Sequence, residues 1–257
     1  MSPYLSRLIL NPRSRQVMAE MAHPYEMHRT LMRAFPKATD DTQAKARDEF
    51  GVLFRTDVDS KKGVVKVYVQ SLIPPDWSFL DGLDDYLCSG TGMPEYDFQN
   101  IMPAFQKIQD GQLLSFRLRA NPTKRNARKE VPGEKPDPLK GKRVELQRED
   151  EQVAWLISKG QGGRKGVPGG FELLMERGED AEGKEGLIPR VDVRCEGKQT
   201  GRKKDGAAGH EMTHLAVVFE GLLRVTDANA FLDTLVRGIG SGKAYGFGLL
   251  SVAPAAR

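Results

Sequence analysis

Apolar and polar positions alternate regularly in a few well-separated stretches of this chain, and those stretches predict its elements. Tyr4 to Asn11 reads as a strand, with Leu8, Ile9 and Leu10 as a buried run. Pro24 to Phe35 reads as a helix, because Met27, Leu31 and Phe35 recur every four residues. Pro24 suits its first turn, where a missing N–H needs no partner. Phe50 to Thr56 and Val64 to Leu72 read as the two strands of a hairpin that turns through Asp59 to Gly63. A weaker helical pattern lies between Tyr96 and Gln109. From Gln112 to Asn121 the period is two: Leu114, Phe116, Leu118 and Ala120 alternate with Ser115, Arg117 and Arg119. The order strand, helix, strand, strand, helix, strand is that of the α+β ferredoxin-like fold.

Residues 122–143 interrupt the pattern with eight Lys or Arg, four Pro and two Gly. This composition marks a linker, so the division expected is a first unit over 1–122, a basic linker over 123–143 and a second unit over 144–257. Beyond it, Glu149 to Lys159 is predicted helical, burying Val153, Leu156 and Ile157, and Gly160 to Gly170 is a loop. Phe171 to Met175, Ile188 to Cys195 and Met212 to Val225 read as strands, the last with a turn near Glu220 and Gly221. Asp227 caps a helix through Val236 with Gly238 at its end, and Gly246 to Val252 is the closing strand. The second half repeats the first less cleanly, which predicts two tandem ferredoxin-like domains.

Composition narrows the function. Of 257 residues, 39% are hydrophobic and 29% charged, enough for a real core, and no apolar run reaches the ~20 residues of a membrane span. Met1 to Leu10 lacks a small-residue cleavage site, so no signal peptide is expected. Cys88 and Cys195 are the only cysteines, far apart and outside any CxxC, which fits a reducing cytoplasm and argues against a disulfide framework or zinc site. The net charge is +4, but Lys and Arg concentrate in 122–143 and 198–204 while 76–97 is acidic. Basic strips of this kind either attract a polyanion or are solvated loops.

The candidate chemistry is sparse. Tyr25 and His28, three apart, share one face of the first helix, offset from the apolar stripe, so both polar tips are expected to be free for a ligand. A His titrates near ~6.5 and can give or take a proton, and a Tyr hydroxyl can hold or relay one. The plain alternative is a surface or cap pair. The Gly-rich run 238–248 fails as a Walker A loop, since Arg237 stands at the first Gly position and Ala244 where Ser or Thr binds magnesium. It is either a phosphate-approaching loop helped by Ser241 and Lys243 or a long turn. Lys198 to Lys204 reads as a basic turn between strands. His210 and His214 are four apart but have no third ligand, so neither a metal nor a cofactor is expected.

Several segments, taken in order, resemble one family. Asn11-Pro12 with Pro24-Tyr25-Glu26-Met27-His28-Arg29-Thr30-Leu31, Phe116 to Lys124, Val218-Phe219-Glu220-Gly221 and Gly238 to Ser251 together resemble the CasE endoribonucleases of type I-E CRISPR systems. The resemblance implies binding of a CRISPR repeat stem-loop and metal-independent cleavage at the 3′ base of the stem. It also implies retention of the product within the Cascade complex, by a chain that is a monomer when free and has no membrane partner. It makes Tyr25 and His28 the active-site pair, one the acid and the other the positioner or base, in either assignment. Arg33 falls where a relative has Lys, which implies a third catalytic residue, a cation that offsets charge on the phosphate. RNA contacts are implied for Arg29, Arg117, Arg119, Asn121, Lys124, Ser241 and Lys243, and for Arg202, Lys203 and Lys204 in a basic hairpin. A repeat-binding subunit that does not cut is the alternative reading.

Overall fold

The computed structural model describes residues 2–36, 49–126, 141–162, 168–179, 185–203 and 210–255. The first unit is an antiparallel sheet of β1 (Tyr4–Leu10), β2 (Leu53–Asp59), β3 (Val64–Ser71) and β4 (Tyr96–Asn100), in the spatial order β2-β3-β1-β4. That order is the ferredoxin-like one, with the first and third strands central. Helices α1 (Arg15–Ala22) and α2 (Pro24–Leu31) pack on it, and α2 runs on into a 3-10 turn at Met32–Ala34. The helix expected over Pro24 to Phe35 is thus present, but its α-helical part ends at Leu31; α1, held at its start by the Ser14 hydroxyl, has no counterpart in the sequence pattern.

Leu8, Leu10, Val17, Met27, Leu31, Phe54, Val67 and Trp77 form this unit's core. Inside it Glu20 accepts hydrogen bonds from Thr30 Oγ1 (2.6 Å), Tyr86 Oη (2.6 Å) and Gln16 Nε2 (2.8 Å). This buried carboxylate ties α1, α2 and the segment before β4 together. Burial, and then the Glu20 charge beside it, pushes the Tyr86 hydroxyl far above the usual tyrosine range, so Tyr86 stays protonated and donates to Glu20.

The second sheet holds β5 (Leu113–Ala120), β8 (Phe171–Leu173), β11 (Val191–Lys203), β12 (His210–Val225) and β13 (Leu250–Pro254), in the order β11-β12-β5-β13. β8 pairs with the far end of the same edge of β12 that β11 covers, so the second strand of this ferredoxin unit is split. The hairpin β9 (Met175–Glu179) and β10 (Glu185–Pro189) is inserted at the split. Helices α4 (Glu149–Gly160) and α5 (Ala228–Arg237) cover one face, burying Phe116, Leu118, Trp155, Phe219, Phe231 and Leu235. A short ribbon of β6 (Thr123–Arg125) and β7 (Arg143–Glu145) leads into α4.

One strand belongs elsewhere than expected. Leu113–Ala120, read as closing the first sheet, pairs with β12 and β13 and is central in the second. The first sheet is closed by Tyr96–Asn100, where a helix was expected and where only the short α3 (Met102–Phe105) forms. The chain thus changes sheet between Asn100 and Leu113, ahead of the basic stretch at 122–143. Among the described residues, no helix is long and apolar enough to cross a membrane.

Candidate active site

Helix α2 lies between the two units. One side meets the first core through Met27 and Leu31; the other meets the Gly-rich segment of the second unit. Within that segment Lys243–Tyr245 forms a 3-10 turn bounded by Gly242 and Gly246, both at φ 76° in the left-handed region that favours glycine. The turn brings Tyr245 against Tyr25, with ring centroids 5.8 Å apart. Tyr25 is 6.0 Å from the His28 ring, and His28 stacks on Phe54 of β2 at 6.2 Å and 13°. Tyr25 is half-buried, but His28 is only 2% exposed. The expectation that both tips face solvent is therefore corrected for His28. His28 falls on the enclosed side of the helix, whereas Glu26 and Arg29 hold its exposed side.

The second unit adds further groups to this cluster. His214 on β12 meets Tyr245 edge-on at 4.5 Å, and its Nδ1 lies 2.7 Å from Asn121 Nδ2. Burial pulls the His214 pKa down against the opposing charge of Glu145. Arg119 donates to Glu196 (2.7 Å) and to the Tyr245 carbonyl (3.4 Å), and its guanidinium stands 4.7 Å from the centre of the Phe247 ring. It pins the Gly-rich segment in place. A cleft of about 360 Å³ opens beside Tyr245, lined among others by Phe54, Arg117, Arg119 and Glu196. Two proton-transfer side chains on one helix, in surroundings drier than bulk water, suit general acid–base chemistry on a ligand entering between the units.

A family model described as CRISPR associated protein matches residues 3–254. The CRISPR-associated endoribonuclease Cse3 of Thermus thermophilus is 40% identical over 253 residues, covering 98% of this chain and 100% of the relative. The chain belongs to this CRISPR-associated endoribonuclease family. The Cascade subunit CasE of Escherichia coli is 29% identical over 90% of this chain and 92% of its own. A solved structure of Thermus thermophilus Cse3 bound to an RNA representing a pre-cleavage complex matches with a TM-score of 0.68. It shows 35% identity over 99% of this chain and 100% of that one.

The other residues that the family resemblance singled out are scattered. Arg33 is exposed with its guanidinium 4.4 Å over the Phe79 ring, in the first unit and outside the ring cluster. Arg29 pairs with Glu26 at 2.9 Å, one turn along the exposed side of α2. Arg117 and Arg119, on the polar side of the period-two alternation, are half-buried and buried. Arg117 is held by Glu220 (2.8 Å) and Asp57 (3.3 Å), and Arg119 by Glu196. Other elements bring carboxylates to that face. Asn121 is buried against His214, whereas Lys124 is exposed and pairs with Glu151 at 2.6 Å. Ser241 and Lys243 line a different cavity from the one beside Tyr245. Lys198–Lys203 lies in β11, whose register with β12 runs to Lys203 opposite His210, so it is strand where a turn was expected. The side chains of Arg202 and Lys203, and all of Lys204, lie outside the described residues.

Proposed function

We propose that this chain binds the stem-loop of a CRISPR repeat transcript, cuts it at the 3′ base of the stem without a metal ion, and keeps the product as a subunit of Cascade. The observation that carries this reading is the Tyr25–His28 pair on α2, packed against Tyr245 where the two units meet. The 2′-oxygen of the ribose attacks the adjacent phosphorus and the bond to the 5′-oxygen breaks. The products are a 2′,3′-cyclic phosphate and a 5′-hydroxyl. One of the pair takes or orients the 2′-hydroxyl proton and the other supplies a proton to the leaving 5′-oxygen. Such help is worth about 10²- to 10⁴-fold, with more from in-line positioning.

Arg33 would have to leave the Phe79 ring to reach the phosphate. Arg29, Lys124, Ser241, Lys243 and the basic end of the β11–β12 ribbon supply the cations and donors for the RNA backbone. A-form stems present phosphates and 2′-hydroxyls more openly than base edges. Arg117, Arg119 and Asn121 act on RNA through the loop and rings they hold. Cys88 and Cys195 are free thiols, in keeping with a cytoplasmic protein.

The test is a labelled repeat stem-loop incubated in EDTA with the wild type, with His28→Ala, and as an RNA carrying deoxyribose at the cut. A single cut by the wild type, slowed about 10²-fold or more by His28→Ala and abolished by deoxyribose, is the expected result. Tight binding that leaves the RNA whole would replace this reading with that of a non-cutting repeat-binding subunit.

A further inference from the structure

Glu20 of α1 is only 5% exposed, and its three hydrogen bonds among the described residues all come from uncharged donors. A carboxylate buried among uncharged donors is destabilising relative to apolar side chains that fill the same space. What it supplies instead is direction. A hydrogen bond weakens steeply off its line, whereas apolar surfaces can slide past one another, so buried polar groups fix register.

The element fixed in this way is α2. It is eight residues long, has no side-chain cap at its start, and gives way to a 3-10 turn after Leu31. Glu20 Oε1 accepts from Thr30 Oγ1 at 2.6 Å, and Oε2 accepts from Tyr86 Oη at 2.6 Å. That Tyr86 oxygen also stands 3.6 Å from Met27 Sδ. Met27 and Thr30 bracket His28 along the helix. Tyr86 is itself tied to the sheet: its carbonyl accepts from the Asn11 N–H at 2.9 Å, and the Cys88 N–H donates to the Ile9 carbonyl at 2.9 Å. A path of directed bonds thus runs from the end of β1 through Tyr86 and Glu20 to the turn of α2 that carries His28. The His28 ring stacks on Phe54 of β2, so one sheet holds both the ring and, through Glu20, its helix.

We infer that Glu20 is a positioning residue for cleavage: through Thr30 and Tyr86 it sets the place of α2, and so of His28, relative to the reacting phosphate. The inference rests on the cleavage reading above. A misplacement of about 1 Å at a reacting group can lower a rate ~10²-fold, so a brace of this kind shows in the rate and not in the affinity.

The test compares cleavage rates of a repeat stem-loop at saturating protein with affinities for the same RNA carrying deoxyribose at the cut. All are measured well below each variant's melting temperature. Glu20→Met removes both acceptors at similar length, and Thr30→Val removes one donor at the same shape. Glu20→Gln keeps an acceptor for Thr30, and Thr30→Ser keeps the hydroxyl. Glu20→Met and Thr30→Val are expected to cut roughly 10- to 100-fold more slowly with affinity unchanged, and Glu20→Gln and Thr30→Ser to recover most of the rate. In a Tyr25→Phe/His28→Ala background, where the groups that Glu20 serves are gone, Glu20→Met should slow the residual cutting no further.

An unchanged rate in Glu20→Met and Thr30→Val, with only the melting temperature lowered, would overturn the inference, because the brace would then hold the fold alone. So would weaker binding at an unchanged rate, or the same fold of slowing in the Tyr25→Phe/His28→Ala background. Failure of the wild type to cut would instead remove the cleavage reading, and with it the reaction that Glu20 is assigned to serve.

Discussion

Asn121 Nδ2 lies 2.7 Å from His214 Nδ1, while His214 Nε2 and Asn121 Oδ1 are buried with no hydrogen-bond partner among the described residues. A charged imidazolium is unwelcome there. Burial lowers the His214 pKa, and Glu145, which also accepts from the Leu215 N–H at 2.6 Å, offsets this only in part. In the unfolded chain the same ring titrates near ~6.5. As pH falls through that value the unfolded state takes up a proton that the folded state refuses, so stability drops until the folded pKa is passed. The melting temperature of the wild type should therefore fall more steeply between about pH 7 and 5.5 than that of His214→Gln. Parallel curves would mean that this ring does not titrate on unfolding. None of this was legible in the sequence. His214 stood beside His210 as a spacing without a third ligand, whereas its partners Asn121 and Tyr245 come from β5's end and the Gly-rich turn. Tyr25 and His28 could be found, because a helix puts residues three apart on one face, but the burial of His28 could not. Phe54, on which it stacks, comes from a distant strand.

The elements themselves were mostly legible, since period two and period 3.6 are local properties. Leu113–Ala120 is a strand as its alternation predicts, yet that alternation is silent on which neighbours it takes, and it pairs in the second sheet. The carboxylates that cover its polar positions, Asp57, Glu196 and Glu220, come from other strands, so the local alternation does not announce them. The Gly-rich run was likewise recognisable as a special backbone, but its bracing was not. Gly238 has φ 71°, and a Cβ there would lie 2.6 Å from the Gly248 carbonyl and 2.8 Å from Leu53. The same carbonyl accepts from the Ile239 N–H at 2.9 Å, and the Gly248 N–H donates to the Arg119 carbonyl at 2.8 Å. At φ 71° and ψ 167°, a region only glycine readily adopts, Gly238→Ala strains the backbone by ~1–3 kcal/mol and also pushes the loop off the first sheet's edge. A loss of at least that size in urea titrations is expected, with a fall in cleavage as Tyr245 shifts from Tyr25. If the variant matches its parent in both, the loop is not braced as described.

At the scale of the whole molecule, the two ferredoxin-like units were readable from repeated element order, but not the contacts that join them. Gln70, 2% exposed on β3, donates to the carbonyls of Leu235 (2.8 Å) and Val236 (3.3 Å), at the end of α5 in the other unit. Arg55, 5% exposed on β2, donates to Ser251 Oγ at 2.8 Å and pairs with Asp57 at 3.0 Å, and Asp57 in turn meets Arg117 at 3.3 Å. Buried polar groups shared across a junction make separation costly, because each would be left without its partner. The two units should accordingly unfold together, and the chain carries its own reporters. Trp77 sits in the first core and Trp155 in the second. With Trp77→Phe and Trp155→Phe as single-tryptophan variants, fluorescence should give superimposable urea transitions after allowance for each substitution's own destabilisation. Asp57→Ala then leaves Arg55 buried without its carboxylate, a loss of about 2–3 kcal/mol for a charged hydrogen-bonded pair. Because the lost bonds lie at the junction, the two reporters should separate in that background. Transitions already separate in the parent chain would mean that the junction does not couple the units. In that case the Tyr25 ring cluster, built from both, would depend on RNA to bring its halves together.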